Sequence, residues 1–169
     1  FLQNINVGVA ITAGKLGIGF TDSNVKVGNT ALNSLTTGTN NTAVGKDALK
    51  TNTTGSSNAA LGENSLENNT TGSSNTGIGK DALRGNSTAS DNTAVGHEAL
   101  ELTSTGTQNT IVGSGAGRSN TTADNNTGVG YYALRSNTTG TENVAIGAYA
   151  ADAITTNNDN TVIGYNALT

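Results

Sequence analysis

The chain contains no cysteine, and only 4% of its residues are aromatic. The absence of cysteine excludes disulfide bonds and thiolate metal sites, but it says little about the compartment in which the protein works. Lysine and arginine together number eight among 169 residues, and they are spread along the chain. Nucleic-acid-binding proteins usually carry a basic patch interleaved with aromatic residues, so we do not expect nucleic acid to be a partner.

Long apolar runs are also missing from the sequence. No stretch of about 18 apolar residues occurs, and no charged segment followed by an apolar one looks like a secretion signal. We therefore expect neither a signal peptide nor membrane insertion in this segment. The chain begins at Phe1 rather than at methionine, so we expect it to be part of a longer protein.

Hydrophobic residues are scarce, at 33% of the chain, while the net charge is only −4. Leu, Ile, Val and Phe make up about a fifth, which is near the level at which chains stop burying enough surface to fold. Disorder usually requires a high net charge as well, and the apolar residues here recur at fixed intervals. We therefore predict an ordered protein with a thin core.

A seventeen-residue repeat runs from residue 24 to residue 169 without insertion or deletion. Each unit opens on an asparagine: Asn24, Asn41, Asn58, Asn75, Asn92, Asn109, Asn126, Asn143 and Asn160. The fifth residue of each unit is a glycine: Gly28, Gly45, Gly62, Gly79, Gly96, Gly113, Gly130, Gly147 and Gly164. A strict short period indicates stacked supersecondary units, so positions are numbered 1 to 17 from each asparagine.

The remaining positions predict the fold. Position 4 is always aliphatic, position 8 is alanine except at Ser65, and position 9 is leucine except at Gly117 and Ala151. Seventeen residues can hold two short strands and two turns, and Asn, Thr and Gly are poor helix formers. We predict an all-β, repetitive β-solenoid of nine 17-residue coils, stacked about 4.8 Å apart.

Stacking places equivalent residues above one another. The asparagines are then expected to form an amide ladder, and the glycines to occupy backbone sites that need a positive φ or a close chain approach. Opposite charges also alternate at one-coil spacing, at position 6 in Lys46, Glu63 and Lys80, and at position 10, which runs Lys50, Glu67, Arg84, Glu101, Arg118 and Arg135. These pairs favour the in-register stack, although each exposed pair contributes less than about 1 kcal/mol.

Residues 1–23 lie outside the period. Segments 6–14 and 15–20 alternate small and β-branched residues, which predicts two short strands around a turn at Ala13-Gly14. We interpret residues 1–23 as a lead-in or capping β segment, and residues 24–169 as the repeat domain.

The predicted core is too thin for one chain. Each coil offers one aliphatic residue at position 4, one leucine and one or two alanines, which leaves a single chain marginal. Neighbouring chains would solve this by closing a shared apolar axis. We therefore predict a homo-oligomer, with the chain itself as its main partner.

The units NTAVGKDAL (residues 41–49), NTGIGKDAL (75–83) and NTAVGHEAL (92–100) resemble the head repeats of YadA-like trimeric autotransporter adhesins. They are still more similar to the NTAVGxxAL…NTTG repeats of bacteriophage tail fibres. The resemblance implies a left-handed parallel β-roll packed as a homotrimer, at an extracellular location on a virion or a bacterial surface. The adhesin unit is somewhat shorter, so the additional residues here are expected to enlarge a loop.

Residues suited to catalysis are few. The single histidine, His97, stands at a variable position, which favours a surface role. The segment GSGAG at residues 113–117 is similar to a phosphate-binding loop, but it lacks the Lys-Ser/Thr of a P-loop and returns to the repeat. We therefore predict that the protein is not an enzyme and binds no cofactor.

Two groups of carboxylates are candidate sites. Asp47, Asp81 and Glu98 share one column, with lysines beside two of them, which predicts a solvated ladder rather than an acid/base pair. Asp91, Asp124 and Asp159 near the second turn do not match the calcium-binding repeat GGxGxDxUx, and we predict no metal site.

Tyrosine occurs only late in the chain, at Tyr131, Tyr132, Tyr149 and Tyr165. These are positions 6 and 7, so we expect one patch along the last three coils. Aromatic side chains make contact hot spots and stack on sugars. Alternatively, the tyrosines pack against a neighbouring fibre domain or fill a groove between chains.

Three functions are consistent with these patterns. The leading hypothesis is a structural segment of a homotrimeric fibre, such as a phage tail fibre, that spaces and presents a host- or surface-binding tip. The second is the head of a bacterial trimeric adhesin that itself binds matrix protein or glycan. The third is an ice-binding solenoid, with a hydroxyl face at position 13: Thr53, Thr70, Ser87, Ser104, Thr121 and Thr138.

Overall fold

Each seventeen-residue unit forms one short β-strand and then bends back to begin the next strand beside it. The structure is a computed structural model that describes residues 19–21 and 23–169. In this part of the chain the strands are β1 (Gly19–Thr21), β2 (Asn24–Val27), β3 (Thr42–Val44), β4 (Ala59–Leu61), β5 (Thr76–Ile78), β6 (Thr93–Val95), β7 (Thr110–Val112), β8 (Thr127–Val129), β9 (Val144–Ile146) and β10 (Thr161–Ile163). They form one sheet whose strand order is the chain order.

The strands stack in register, one coil above the next. From β2 onward every strand is parallel to the one before it, and each residue lies opposite the residue seventeen positions later, as Thr42 lies opposite Ala59. No helix occurs among the described residues. The predicted all-β parallel solenoid with a seventeen-residue repeat is therefore confirmed. Residues 24–159 make eight complete coils, and residues 160–169 form part of a ninth. The prediction of nine coils is therefore wrong for the last one, which is incomplete.

The segment before the repeat contributes one described strand. β1 is antiparallel to β2, with Phe20 opposite Val25. It overlaps the end of the strand predicted over residues 15–20. The strand predicted over residues 6–14 and the turn at Ala13-Gly14 lie outside the described residues.

The bends of each coil need left-handed backbone at residues other than glycine. In the coil of residues 41–57, φ is 58° at Asp47, 49° at Leu49 and 60° at Ser57. Such a conformation costs an L-residue roughly 1–2 kcal/mol. Hydrogen bonds to the adjacent coils compensate, because Asp47 N–H donates to Asn29 at 3.0 Å and Leu49 N–H donates to Ser65 at 3.0 Å. One coil therefore depends on the coils above and below it.

The apolar interior is formed by positions 3, 8 and 9. The inward residues of position 3 are mostly small, and Ala43, Ala94 and Ala145 are fully buried. Leucines of position 9 fill the centre of the rod, and Leu49, Leu66, Leu83 and Leu100 are also fully buried. The expectation that position 4 contributes to this core is wrong, because successive residues of a strand point to opposite faces and position 4 points outward.

Departures from the repeat come in compensating sets. Position 3 carries Ile111 in place of the usual small residue, and position 9 of the same coil is Gly117 in place of leucine. In the next coil, position 3 is Gly128, where an added Cβ would lie 2.8 Å from the Ile111 Cδ1 atom. Ile111 therefore fills space that both glycines leave open, and the packing of the rod stays continuous.

Candidate functional site

The asparagines of position 1 form a ladder inside the rod. Asn58 donates its backbone N–H to Asn41 Oδ1 at 3.0 Å, and its Nδ2 donates to the same oxygen at 3.1 Å and to the Gly72 carbonyl at 2.8 Å. In every later coil, the position 1 backbone N–H donates to the amide oxygen one coil before. The buried members include Asn41, Asn58, Asn75, Asn92, Asn109 and Asn126. The ladder joins each strand start to the preceding coil and to the second turn of its own coil.

A second set of buried asparagines, at position 12, was missed by the sequence analysis. Its members are Asn52, Asn69, Asn86, Asn120 and Asn137, all at most 2% exposed. Asn69 Nδ2 donates to Asn52 Oδ1 at 2.9 Å, and Asn86 Nδ2 donates to Asn69 Oδ1 at 2.7 Å. Stepping the sequence in seventeens from Asn52 would have found this second ladder.

The second ladder is broken at Thr103, the position 12 residue of the next coil. Thr103 is fully buried, yet its hydroxyl has no hydrogen-bond partner in the described part of the chain, and neither has Asn86 Oδ1. A buried polar atom without a partner destabilises a fold by about 1–3 kcal/mol. This coil is therefore a weak point in the rod.

The glycines of position 5 lie where consecutive coils approach most closely. At Gly62 the φ angle is 139°, and an added Cβ would lie 2.5 Å from the Gly79 carbonyl oxygen. The same close approach recurs at Gly45, Gly62, Gly79, Gly96, Gly113 and Gly130. The glycine column therefore shapes the first turn and offers no side chain for binding.

Position 4 produces a continuous apolar line on the outside of the rod. We call this line the aliphatic column: Val44, Leu61, Ile78, Val95, Val112, Val129, Ile146 and Ile163. All of these residues are half-buried or exposed, and the exposed fraction reaches 50% at Leu61 and 42% at Ile146. The most regular hydrophobic position of the repeat therefore faces away from the chain's own core.

The charged residues of position 6 pair from coil to coil. Glu63 lies 3.4 Å from Lys46 in the coil before and 3.3 Å from Lys80 in the coil after. The hydrogen bond from Lys80, followed by that from Lys46, holds the pKa of Glu63 below its ordinary value. All three side chains are 41–59% exposed, so this ladder is solvated.

Position 10 carries a better buried ion-pair cluster. The Glu101 carboxylate, which is 5% exposed as a residue, accepts from Arg84 at 2.6 Å and from Arg118 at 2.7 Å. The hydrogen bond to Glu101 raises the pKa of Arg118 above its ordinary value. The cluster therefore links three consecutive coils at mid-rod.

The carboxylates of position 7 are engaged by cations. Asp47 lies 3.4 Å from Lys50, Asp81 lies 4.0 Å from Arg84, and Glu98 lies 3.1 Å from Arg118. The pKa of Asp47 is lowered, first by a hydrogen bond from Thr30 and then by Lys50. No two of these carboxylates are joined in a pair that could share a proton.

The remaining candidate residues of the sequence lie apart from one another in the described part of the chain. His97 lies on the surface, 3.9 Å from Glu98. Asp124 accepts a hydrogen bond from the Thr107 backbone at 2.6 Å, and no three His, Cys, Asp or Glu side chains of the described residues meet as a metal site. The described residues also contain no helix long and apolar enough to span a membrane.

The hydroxyls of position 13 donate within the rod. Thr53 donates to the Thr70 carbonyl at 3.0 Å, Thr70 to the Ser87 carbonyl at 2.9 Å, and Ser87 to the Ser104 carbonyl at 3.1 Å. Their protons are therefore engaged between coils, which does not favour the ice-binding hypothesis.

The four tyrosines lie together, and we call them the tyrosine cluster. Ring centroids are 4.0 Å apart for Tyr131 and Tyr132, 5.3 Å for Tyr131 and Tyr149, and 6.2 Å for Tyr149 and Tyr165. The last two pairs meet edge to face, which is a favourable geometry for aromatic rings. A hydrogen bond with Tyr132 raises the pKa of Tyr131 to about 12.

The residues around the tyrosine cluster explain the GSGAG segment. Gly115 lies under the Tyr132 ring, because a Cβ on Gly115 would be 2.1 Å from the Tyr132 Cε1 atom. The Arg135 guanidinium also lies on the ring of Tyr132, 4.5 Å from the ring centroid. The glycines of this segment therefore make room for an aromatic ring and for Ile111, rather than for a phosphate.

No protein-family model, curated protein or solved structure matches this chain.

Proposed function

We propose that the chain is a segment of a homotrimeric fibre, resembling a phage tail fibre, that spaces and presents a host- or surface-binding tip. The observation that carries this proposal is the aliphatic column on the outside of the rod. Monomeric proteins rarely expose a contiguous apolar patch larger than a few hundred Å². The eight aliphatic side chains of this column, each half-buried or exposed, form a contiguous apolar line about 34 Å long at about 4.8 Å per coil.

Identical chains are the natural partners of this column. Another copy carries the same column with the same spacing, so in-register packing of parallel rods buries every aliphatic residue at once. Three rods around one axis form a closed ring, which uses the column of each chain and leaves none exposed. The trimeric number and the left-handed coil are taken from the resemblance of the repeats to those fibre families.

A spacing role agrees with the character of the repeat. Consecutive units are nearly identical, and the coils are tied together by ladders that run along the interior. Among residues 23–169, the position 7 carboxylates Asp47, Asp81 and Glu98 lie beside cations, and the single histidine lies on the surface. A rigid rod of this kind sets the distance between an attachment point and a binding tip.

The tyrosine cluster supports a second candidate, the head of a bacterial trimeric adhesin that binds matrix protein or glycan. The two functions share the same architecture and differ in what flanks the rod. A membrane anchor next to this segment would favour the adhesin, and a virion-attachment or chaperone domain would favour the tail fibre. The sequence on either side of the segment is the observation that separates them.

The assembly can be tested with a matched pair of variants. Replacing Leu61 and Ile146 with aspartate places charges in the aliphatic column, whereas Leu102→Asp changes a residue that is similarly exposed, at 46%, but lies at position 11. We expect sedimentation velocity to show trimers for the wild type and for Leu102→Asp, and loss of the trimer for the double variant. A double variant that remains trimeric would contradict the proposed interface.

A further inference from the structure

The tyrosine cluster extends over three consecutive coils of one face of the rod. Tyr131 and Tyr165 occupy position 6, and Tyr131, which has a coil on each side, is 44% exposed. Tyr149 lies in the coil between them, with ring centroids 5.3 Å and 6.2 Å from theirs. The rings therefore form a continuous aromatic surface along the rod axis.

This face stays open in the proposed trimer. Position 6 of the earlier coils carries Lys46, Glu63 and Lys80, whose side chains are 59%, 41% and 53% exposed. In a bundle of straight parallel rods, a column meets the same surroundings along its whole length. Burying the tyrosines between chains would therefore desolvate the lysines and the glutamate too, which is costly. For this step the inference rests on the proposed assembly.

The exposed aromatic area suits a small ligand better than a folded protein. An aromatic side chain offers about 150–250 Å², so at the observed exposures the four rings present at most roughly 400 Å². A stable protein interface takes about 800 Å² from each partner. An oligosaccharide needs less area than this.

Arg135 adds a positive charge to this surface. It is exposed, its guanidinium lies 4.5 Å from the Tyr132 centroid, and no carboxylate of the described residues lies within ion-pair distance. Arg84 and Arg118 instead bind Glu101, at 2.6 Å and 2.7 Å. Asp152 occupies the next coil of the same column but does not pair with Arg135. A planar guanidinium matches a carboxylate through two parallel hydrogen bonds.

We propose that the tyrosine cluster and Arg135 form a binding site for carboxylate-bearing oligosaccharides. Sugar rings stack on the exposed rings of Tyr131 and Tyr165, and Arg135 pairs with a carboxylate of the ligand. This deepens the proposed function, because it gives the rod a ligand of its own in addition to its spacing role.

The test uses the whole chain on an array of sialylated and uronate-containing oligosaccharides, together with their neutral counterparts. Binding confined to the acidic members is expected, with tetragalacturonate bound more tightly than its methyl ester. Equal binding of the acid and the ester would overturn the role of Arg135. Absence of binding across the array would overturn the site.

Variants then assign the contacts. We expect Tyr165→Ser to weaken binding about tenfold and Arg135→Gln to remove the preference for the acid over the ester. Tyr165→Phe keeps the ring and should bind like the wild type. If a protein ligand rather than a saccharide is captured through Tyr165, the inference is overturned.

Sedimentation of the same samples separates this inference from the proposed function. A trimer without saccharide binding would overturn the binding site alone. A folded monomer that binds the acidic sugar would overturn the trimer alone. Tyrosines protected from nitration in the trimer and reactive in the dissociated chain would show that this face is buried between chains, which would overturn the site.

Discussion

The two asparagine ladders differ in the groups from which their amide oxygens accept hydrogen bonds. The ladder of position 1 is unbroken from Asn24 to Asn160, whereas position 12 carries threonine at Thr103 and isoleucine at Ile154. In the first ladder, each amide oxygen accepts the backbone N–H of the next asparagine, as Asn75 Oδ1 does for Asn92 at 3.1 Å. In the second, Asn69 Oδ1 accepts from a side chain, Asn86 Nδ2.

This difference explains why one ladder varies along the chain and the other does not. A side-chain amide that loses its partner can turn to another, and Asn137 does so by accepting from the Gly140 N–H at 3.0 Å. A backbone N–H at the start of a strand cannot move to a new acceptor. Columns that serve the backbone are therefore fixed, and columns that serve side chains can change when a neighbour compensates.

The largest effect is expected from breaking the first ladder. Asn75→Ala leaves the Asn92 N–H buried without an acceptor, so we expect a loss of about 3 kcal/mol in the free energy of unfolding. Asn69→Ala should lose only about 1 kcal/mol, because the Gly72 carbonyl keeps its bond from Asn58 at 2.8 Å and a side-chain oxygen, Asn52 Oδ1, is the atom that loses its donor. Urea denaturation of both variants measures the difference. Equal losses would contradict the distinction between the ladders.

Apolar columns should show the same rule of compensation. Gly128→Ala places a methyl group against Ile111, and overpacking of this kind costs about 1–3 kcal/mol. Adding Ile111→Ala to that variant removes the clash, so we expect the second substitution to cost less there than in the wild type. A double-mutant cycle measures this coupling. Strict additivity would show that the two positions do not compensate.

Repairing the second ladder should stabilise the rod. In Thr103→Asn, the new amide can donate to the unpaired Asn86 Oδ1, and we expect a gain of about 1 kcal/mol. Thr103→Val is the control, because it removes the unpaired hydroxyl but leaves Asn86 Oδ1 without a donor. Thermal or urea denaturation should rank Thr103→Asn above Thr103→Val. If Thr103→Val were the more stable variant, the interruption of the second ladder at Thr103 would not be the weak point of the rod.

The smallest effect is expected from the outer charge ladder. The pKa of Glu63 is lowered by Lys80 and Lys46, so its ionised form stabilises the fold above the unfolded pKa of about 4.3. That contribution is lost as the pH falls through the lowered pKa. We expect Glu63→Gln to be slightly less stable than the wild type at neutral pH and equally stable in acid. If the difference in stability between Glu63→Gln and the wild type grew as the pH fell, the lowered pKa of Glu63 would be contradicted.

The period alone predicts much of the fold but not which residues face inward. Stepping in seventeens gives the solenoid, its register and the columns headed by Asn41 and Gly45. It does not show which side of a three-residue strand faces the interior. Where position 3 is alanine and position 4 is valine, the larger valine is the one that a sequence pattern assigns to the core. Only the path of the backbone shows that Ala43 is buried and Val44 is not.

In the candidate sites, too, some features can be predicted from the sequence and others only from the structure. The tyrosine cluster follows from residue spacing, since Tyr131, Tyr149 and Tyr165 fall at positions 6 and 7 of three consecutive coils. The role of Gly115 beneath Tyr132 and the unpaired state of Arg135 depend on side-chain conformations that spacing does not contain. The aliphatic column is visible as a pattern, but its outward direction, on which the proposed trimer interface rests, comes from the structure.

The measurement that tests the central claim most directly is the mass of the unmodified chain in solution. Sedimentation equilibrium under native conditions, with circular dichroism on the same sample, should give a folded β-rich species of three times the mass of one chain. A stable, folded monomer would contradict the account, because the aliphatic column would then be exposed to water without a partner.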